Sequence, residues 1–435
     1  METPFSSSGP SSMPNALCVA TTARPEPCPI VQGERHVDVC IVGGGFMGLS
    51  TALTLAGKGV SVAVLEAAEI GWGASGRNNG IVAPGLKRDP WEVHKILGTE
   101  NGDRLLRYSN DAPDVVFKLI DELAIDCDVN RNGWIQAAHS KRALPLIEKR
   151  VAQWQALGAA VDTIPADKVS AELGTDFYAG ASRYDGGGSI NPLAYVYGLA
   201  AAASVAGAAI FEQSPAEGIR REGGKWVVAS THGSVRCAQV VCCTNAYNDN
   251  VDSLRGTVIP LRTAQVASHP LPRDVAASIL PGTAAASDTQ RLLTSFRLTA
   301  DNRLIMGGAS ATAGDHHDGL TKHLHKAARL RFSHIGDIPW DIGWSGYLAL
   351  TTDHLPQILR VDDNFYAGIG CNGRGIAMAT ATGRSIAELI CGQDEKDCSV
   401  PIRKPKRVFG YGMRRPGVAL GVVYNRFLDT VDRLT

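Results

Sequence analysis

The sequence has no excess charge of either sign: 43 Lys and Arg balance 43 Asp and Glu. Nothing in that balance points to nucleic acid, and RNP-like, helix-turn-helix and zinc-finger patterns are missing too. No apolar run reaches the roughly 18 residues a membrane-spanning helix needs. Residues 1–35 are rich in Ser, Pro and Thr, carry Glu2 where a secretory signal carries Lys or Arg, and lack a continuous apolar stretch. They are expected to be a flexible lead-in rather than a signal peptide, and the protein to be cytoplasmic. The ten cysteines include no Cys-x-x-Cys pair, and Cys40, Cys242 and Cys243 sit in apolar runs. Buried, reduced thiols are the expectation, rather than a disulfide framework or a metal site. Neither an internal repeat nor a second G-x-G-x-x-G is found, which argues against a reductase with a separate NAD(P)H unit.

What is present is the balance of a soluble globular chain, 44% apolar and 20% charged. At 435 residues it is too long for one ordinary core, so two interleaved domains are expected.

The strongest local pattern starts at Val37. Val37–Val42 is a short β-branched run that leads directly into Gly43, Gly44, Gly45, Phe46, Met47 and Gly48. A small-residue helix follows to Gly57, then a second strand over Val60–Leu65, closed by Glu66 and Ala67. Gly43 suits the tight turn, Gly45 admits backbone to a pyrophosphate, and Gly48 allows close helix–sheet packing. The helix N-terminus offers amides and positive dipole to phosphate. Glu66 can accept hydrogen bonds from ribose hydroxyls and would repel a 2′-phosphate, which disfavours NADP and leaves NAD and FAD open. A plain glycine-rich turn is the bland alternative, but strand, helix, strand and terminal acid stand in the right order for a dinucleotide site.

The next segment separates NAD from FAD. Trp72, Gly73, Ala74, Ser75, Gly76, Arg77, Asn78, Asn79 and Gly80 replace the amphipathic crossover helix expected of an NAD dehydrogenase. Such a loop lets backbone approach a flat ligand while Arg77, Asn78 and Asn79 offer hydrogen bonds. The run GWGASGRNNG resembles the second FAD motif of the D-amino acid oxidase-type flavoprotein family, most closely its γ-glutamylputrescine oxidase-like members. It departs from their usual form only at Asn79. The resemblance continues through Val240–Ala246 with Thr244 and Asn245, Phe296–Leu298, Gly307-Gly308, Trp344–Gly346, Thr352-Asp353 and Gly368–Ala379.

The resemblance implies a Rossmann-type (glutathione-reductase-like) α/β FAD-binding domain, discontinuous over 36–88, 188–246 and 341–400. An α+β substrate domain on a mixed sheet would occupy 89–187 and 247–340. It adds Ala216, Gly370, Asn372, Gly373, Arg374, Gly375 and Ile376 to the expected cofactor contacts. The last of these open a helix toward the flavin pyrimidine ring. It also implies hydride transfer from the carbon beside an unprotonated amine to flavin N5, with the imine hydrolysed to a carbonyl compound and an amine. A small amine or amino acid derivative, such as a γ-glutamyl amine or N-alkyl amino acid, is the expected substrate.

Arg297 approximately matches the family's carboxylate anchor, with a surface ion-pairing residue as the alternative. Tyr347 and Trp344 are candidate pocket walls or else core aromatics. Relatives with covalent flavin use Cys or His near positions where this chain has Arg77 and Gly346, so non-covalent FAD is expected. Sarcosine oxidases carry an oxygen-activating Lys where this chain reads Arg303, Leu304, Ile305 and Met306. An oxidase using oxygen is the leading expectation. A dehydrogenase passing electrons to a carrier or quinone comes second, and a non-catalytic FAD-binding protein third.

Asn191 with Pro192 reads as the capped start of a helix running to Gly207, and Ile219–Val241 as hairpins turning at Gly223-Gly224 and His232-Gly233. His316, His317, His323 and His325 are assigned to an exposed face, with no metal expected. Residues 401–435 form a basic tail, helical from about Val418. A docked helix is preferred there to peripheral membrane contact, because Asp429 and Asp432 fall within it.

Overall fold

The computed structural model describes residues 13–310 and 321–434. Its first strand, Gly33–Val42, is buried from Val39 onward. That half of the strand lies between two parallel neighbours, Gly233–Cys242 and Val62–Leu65. A strand covered on both faces and paired on both sides favours the continuous apolar run seen in the sequence. Among the described residues the sheet has nine strands, and its main path runs Ile402–Arg403, Gln357–Asp362, Phe365–Ile369, Gly233–Cys242, Gly33–Val42, Val62–Leu65, Ala209–Phe211. Gly218–Glu222 and Lys225–Ser230 fold back on it as the expected hairpins.

Among the described residues, three helices pack together over this sheet. Phe46–Ala56 packs against both Pro192–Val205 and Gly375–Ile390. The helix at Pro192 starts as its sequence suggests: the Asn191 side chain accepts from the amides of Leu193 and Ala194.

A second, mixed sheet of eight strands among the described residues runs Trp340–Leu350, Ile259–Ser268, Leu304–Ala309, Thr294–Leu298, Ala285–Asp288, Trp134–Ala137, Ala181–Tyr184, Val161–Ile164. Its own core is built on Ile135, Phe296, Met306 and Phe332.

The structure corrects the expected boundaries in three places. Residues 341–350, assigned to the FAD-binding part, belong to the second sheet, where Trp340–Leu350 pairs antiparallel with Ile259–Ser268 along nearly its whole length. The helix Thr99–Glu122, assigned to the substrate part, packs on Gly375–Ile390, and the Tyr108 hydroxyl meets Ser385 Oγ at 2.8 Å. The described part of the lead-in is docked. Ala16, Leu17 and Cys18 are buried, the Cys28 amide donates to Glu212, and the Val31 amide donates to Ser214. Apolar burial and paired backbone amides hold it, so its low-complexity composition was a poor guide.

Candidate active site

Strands Gly33–Val42, Val62–Leu65, Gly233–Cys242 and Phe365–Ile369 run parallel in the first sheet. Their carboxyl ends deliver Gly43, Glu66, Thr244 and Gly370 to one edge, the edge where doubly wound sheets bind ligands. A cavity of about 710 Å³ opens there and continues to the second sheet.

The glycine turn meets the steric demands of a phosphate cradle. Gly43 has φ +108°, and a Cβ on Gly48 would lie 2.0 Å from the Gly43 carbonyl oxygen, so side chains are excluded at both. The helix Phe46–Ala56 starts from Gly45 without a side-chain cap. Its Phe46 amide donates to Ser75 Oγ at 3.0 Å, while the next amides of a first turn have no intrahelical acceptor. Glu66 accepts from the amides of Gly44 (2.8 Å) and Ala68 (2.9 Å), and burial raises its pKa against the pull of those amides.

Of the expected cofactor contacts, Gly43, Gly45, Phe46, Met47, Glu66, Ala67, Trp72, Gly73, Ala74, Ser75, Arg77, Asn78, Asn79, Ala216, Thr244, Asn245, Asn372, Gly373, Arg374, Gly375 and Ile376 line the cavity. Gly48, Gly80 and Gly370 stand behind it. Several polar side chains in this set knit the loops together. Asn78 donates to the carbonyls of Ala74 and Ser75 and accepts from the Gly80 amide. Asn79 donates to Ser295 Oγ at 2.5 Å, tying the loop to the second sheet. Asn372 accepts from the Thr351 amide and donates to the Gly370 carbonyl. Asn245 accepts from the Gly370 amide at 3.2 Å. Their work is to fix a backbone surface. Arg77 lies 4.3 Å over the Trp72 ring, and a Cβ on Gly346 would touch its Cβ at 3.1 Å.

Two cavity-lining groups, Thr244 Oγ1 and Gln265 Oε1, are buried and have no hydrogen-bond partner among the described residues. Unpaired buried polar atoms are costly, and a polar, flat ligand would satisfy them. Together with the Cβ-excluding cradle, they fit FAD.

The substrate candidates separate. Tyr347 lines the cavity and meets Tyr247 edge to face at 6.2 Å. Trp344 does not line it: it is buried, and its indole N–H donates to the Arg77 carbonyl at 3.0 Å. Arg297 is a correction. Its guanidinium donates to the carbonyls of Asn79, Ile190 and Leu298, and it stands outside the cavity. Burial brings its pKa down to about 10. With three carbonyls to serve, Arg297 braces the FAD loop and is not aimed at substrate.

Of the cations at the far end of the cavity, Arg374 is among the expected cofactor contacts, while Lys87 and Arg150 went unread in the sequence. Lys87 lines the cavity with its side chain exposed, and it makes no ion pair or side-chain hydrogen bond among the described residues. Partial desolvation against the cavity wall lowers its pKa, and Arg374 and Arg150 lower it further. Arg374, also without a hydrogen bond among the described residues, lies 4.3 Å over the Trp134 ring, and burial brings its pKa down to about 10. Arg150, by contrast, is neutralised by Asp89 and donates to Gln136 Oε1 at 2.5 Å. Tyr184, Trp134 and His354 complete this end, and burial lowers the His354 pKa. Apart from Arg374, which sits in the Gly368–Ala379 run, these residues come from widely separated segments, so no local motif announces them. The one available hint was Lys87 ending an apolar run.

Other titratable clusters carry less. His139, Asp429 and Asp432 approach one another closely, but Arg291 already supplies the cation, at 3.0 Å and 2.7 Å from the two carboxylates. His325 stacks on Trp340 at 4.9 Å, and His316 and His317 lie outside the described residues.

Fold and cavity together define a two-sheet, dinucleotide-binding protein whose ligand reaches from the first sheet to the second. Residues 38–389 match the DAO family of FAD dependent oxidoreductases, and the chain belongs to that family. It is an FAD-dependent enzyme of the amine and amino acid oxidoreductase class. It is 32% identical to the probable oxidoreductase OrdL of Haemophilus influenzae over 408 residues, spanning 92% of this chain and 94% of that one. Identity to the gamma-glutamylputrescine oxidoreductase of Escherichia coli is also 32%, over 396 residues, 90% of this chain and 92% of that one. Among solved structures, glycine oxidase from Geobacillus kaustophilus superposes with a TM-score of 0.70 at 22% identity, covering 86% of this chain and all of that one.

Proposed function

We propose that this enzyme oxidises the C–N bond of an amine that also carries a carboxylate, a γ-glutamyl amine or an N-alkyl amino acid. The observation that carries the reading is the pair of cavity-facing cations, Lys87 and Arg374, which make no ion pair among the described residues, while the nearby Asp89 and Asp288 are already paired with Arg150 and Arg331. Two like charges lining one pocket disfavour each other until an anion joins them. A carboxylate is the anion that such substrates offer, and a planar guanidinium can bind it through two parallel hydrogen bonds.

Bound FAD supplies the two-electron acceptor. The cradle around Gly43–Met47, Glu66 and the loop Trp72–Gly80 would hold it, and the N-terminus of Gly375–Ile390 would face it with positive dipole. The same cations that attract a carboxylate disfavour a protonated amine nearby, so a bound substrate loses its ammonium proton more readily. Burial, Arg88 and Lys87 lower the His354 pKa, which disfavours a further positive charge there. Tyr347, Tyr247, Trp134 and Tyr184 line the cavity with ring faces that would exclude water from a bound substrate. Water then hydrolyses the imine product to a carbonyl compound and an amine.

An anaerobic screen of purified holoenzyme tests this. γ-Glutamyl amines and N-alkyl amino acids should bleach the flavin, while the same amines without a carboxylate should do so only at much higher concentration. Equal response to both sets would remove the anionic recognition. Peroxide formed in air in step with product marks an oxidase; bleached enzyme that stays reduced in air marks a dehydrogenase.

A further inference from the structure

The C-terminal helix, Arg414–Leu434, presents two unlike faces. Its inner face belongs to the body of the protein. Val418, Gly421 and Val422 line the cavity, and Asp429 is buried against the amides of Arg291 and Leu292. Arg426 donates to the Ala309 carbonyl at 3.2 Å, and Asp432 pairs with Arg291. Those three are the charged residues between 416 and 432, and all are engaged inward.

The outer face is apolar. Leu420, Val423, Tyr424 and Phe427 are each between 62% and 71% exposed, and at 3.6 residues per turn they share one side. Met413 and a fully exposed Phe409 precede them. Lys404, Lys406 and Arg407, exposed and without ion pairs among the described residues, lead into that stretch. A continuous exposed apolar stripe of this size is unusual on a free surface. No helix among the described residues is long and apolar enough to cross a membrane.

We infer that this face docks the enzyme on an anionic lipid surface. An in-plane helix buries its apolar side among acyl chains while neighbouring cations meet headgroup phosphates, and Tyr suits the boundary between them. A second copy of this chain would cover the stripe but offer no counter-charge to Lys404, Lys406 and Arg407. An anionic bilayer satisfies both features. The docked enzyme would hold the cavity wall formed by Val418, Gly421 and Val422 beside the membrane.

The test uses full-length holoenzyme and co-sedimentation with phosphatidylcholine vesicles, with and without phosphatidylglycerol. Binding should appear with phosphatidylglycerol, and weaken at least tenfold without it or in high salt. Leu420→Gln combined with Phe427→Gln should weaken binding at least tenfold with the flavin spectrum and Tm unchanged, since both side chains face outward. Lys404→Glu with Lys406→Glu should weaken it similarly from outside the helix. Absence of vesicle binding would overturn the inference. So would binding that survives both pairs, or a dimer in sedimentation velocity that the helix pair abolishes while vesicles stay unbound.

Discussion

Lys87 lines the cavity with its side chain exposed whereas Arg297 is buried, and their surroundings give them different work. Arg297 meets three carbonyls, so Arg297→Met would leave each without its donor, at roughly 1–3 kcal/mol apiece. Thermal unfolding should show that loss and weaker FAD retention, with KM little changed in enzyme that remains folded. A large rise in KM at full stability would restore the anchoring role expected from sequence. Lys87 has no such partner, so Lys87→Met should leave Tm unchanged or higher. It should also raise KM for a carboxylated amine about tenfold or more, the scale of one charge-assisted hydrogen bond. The pH dependence follows in sign. Lys87 is charged below its pKa and neutral above it, and that pKa is lowered by partial desolvation against the cavity wall and by Arg374 and Arg150. KM should therefore rise with pH earlier than an ordinary lysine would dictate, and Lys87→Met should flatten that rise. A wild-type KM that is flat over the alkaline range would contradict it.

At the scale of elements, legibility tracked how local the physics is. The strand–turn–helix around Gly43–Gly48 was readable because each glycine answers a backbone demand made within a few residues. Gly48→Ala places its Cβ 2.0 Å from the Gly43 carbonyl oxygen, and the variant should purify without flavin. An intact flavin spectrum would mean that the helix can shift. The loop Trp72–Gly80 was readable for the same reason, although its asparagines turned out to brace backbone. Trp340–Leu350 was misplaced because pairing with a distant strand, not its own pattern, decides which sheet it joins. Asp429 and Asp432 argued against membrane contact when counted in the sequence, yet both face inward and engage Arg291. Arg291→Met should loosen this helix, and limited proteolysis after residue 400 should then outpace that of wild type. Unchanged cleavage would show that the ion pairs add nothing to docking.

The molecule as a whole joins a cofactor cradle on one sheet to a charged pocket on the other, within one cavity. The cradle was visible from contiguous motifs. Most of the pocket was not, because Lys87, Trp134, Arg150 and Tyr184 meet Arg374 only when both sheets are assembled. The measurement that tests this account most directly is an anaerobic titration of the flavin band with a γ-glutamyl amine and with the same amine lacking the glutamyl group. Wild type and Lys87→Met are compared side by side. The account predicts that wild type favours the glutamylated amine by at least tenfold and that Lys87→Met loses most of that preference. Equal preference in the two proteins would contradict the assignment of Lys87, and no bleaching by any carboxylated amine would contradict the proposed substrate class.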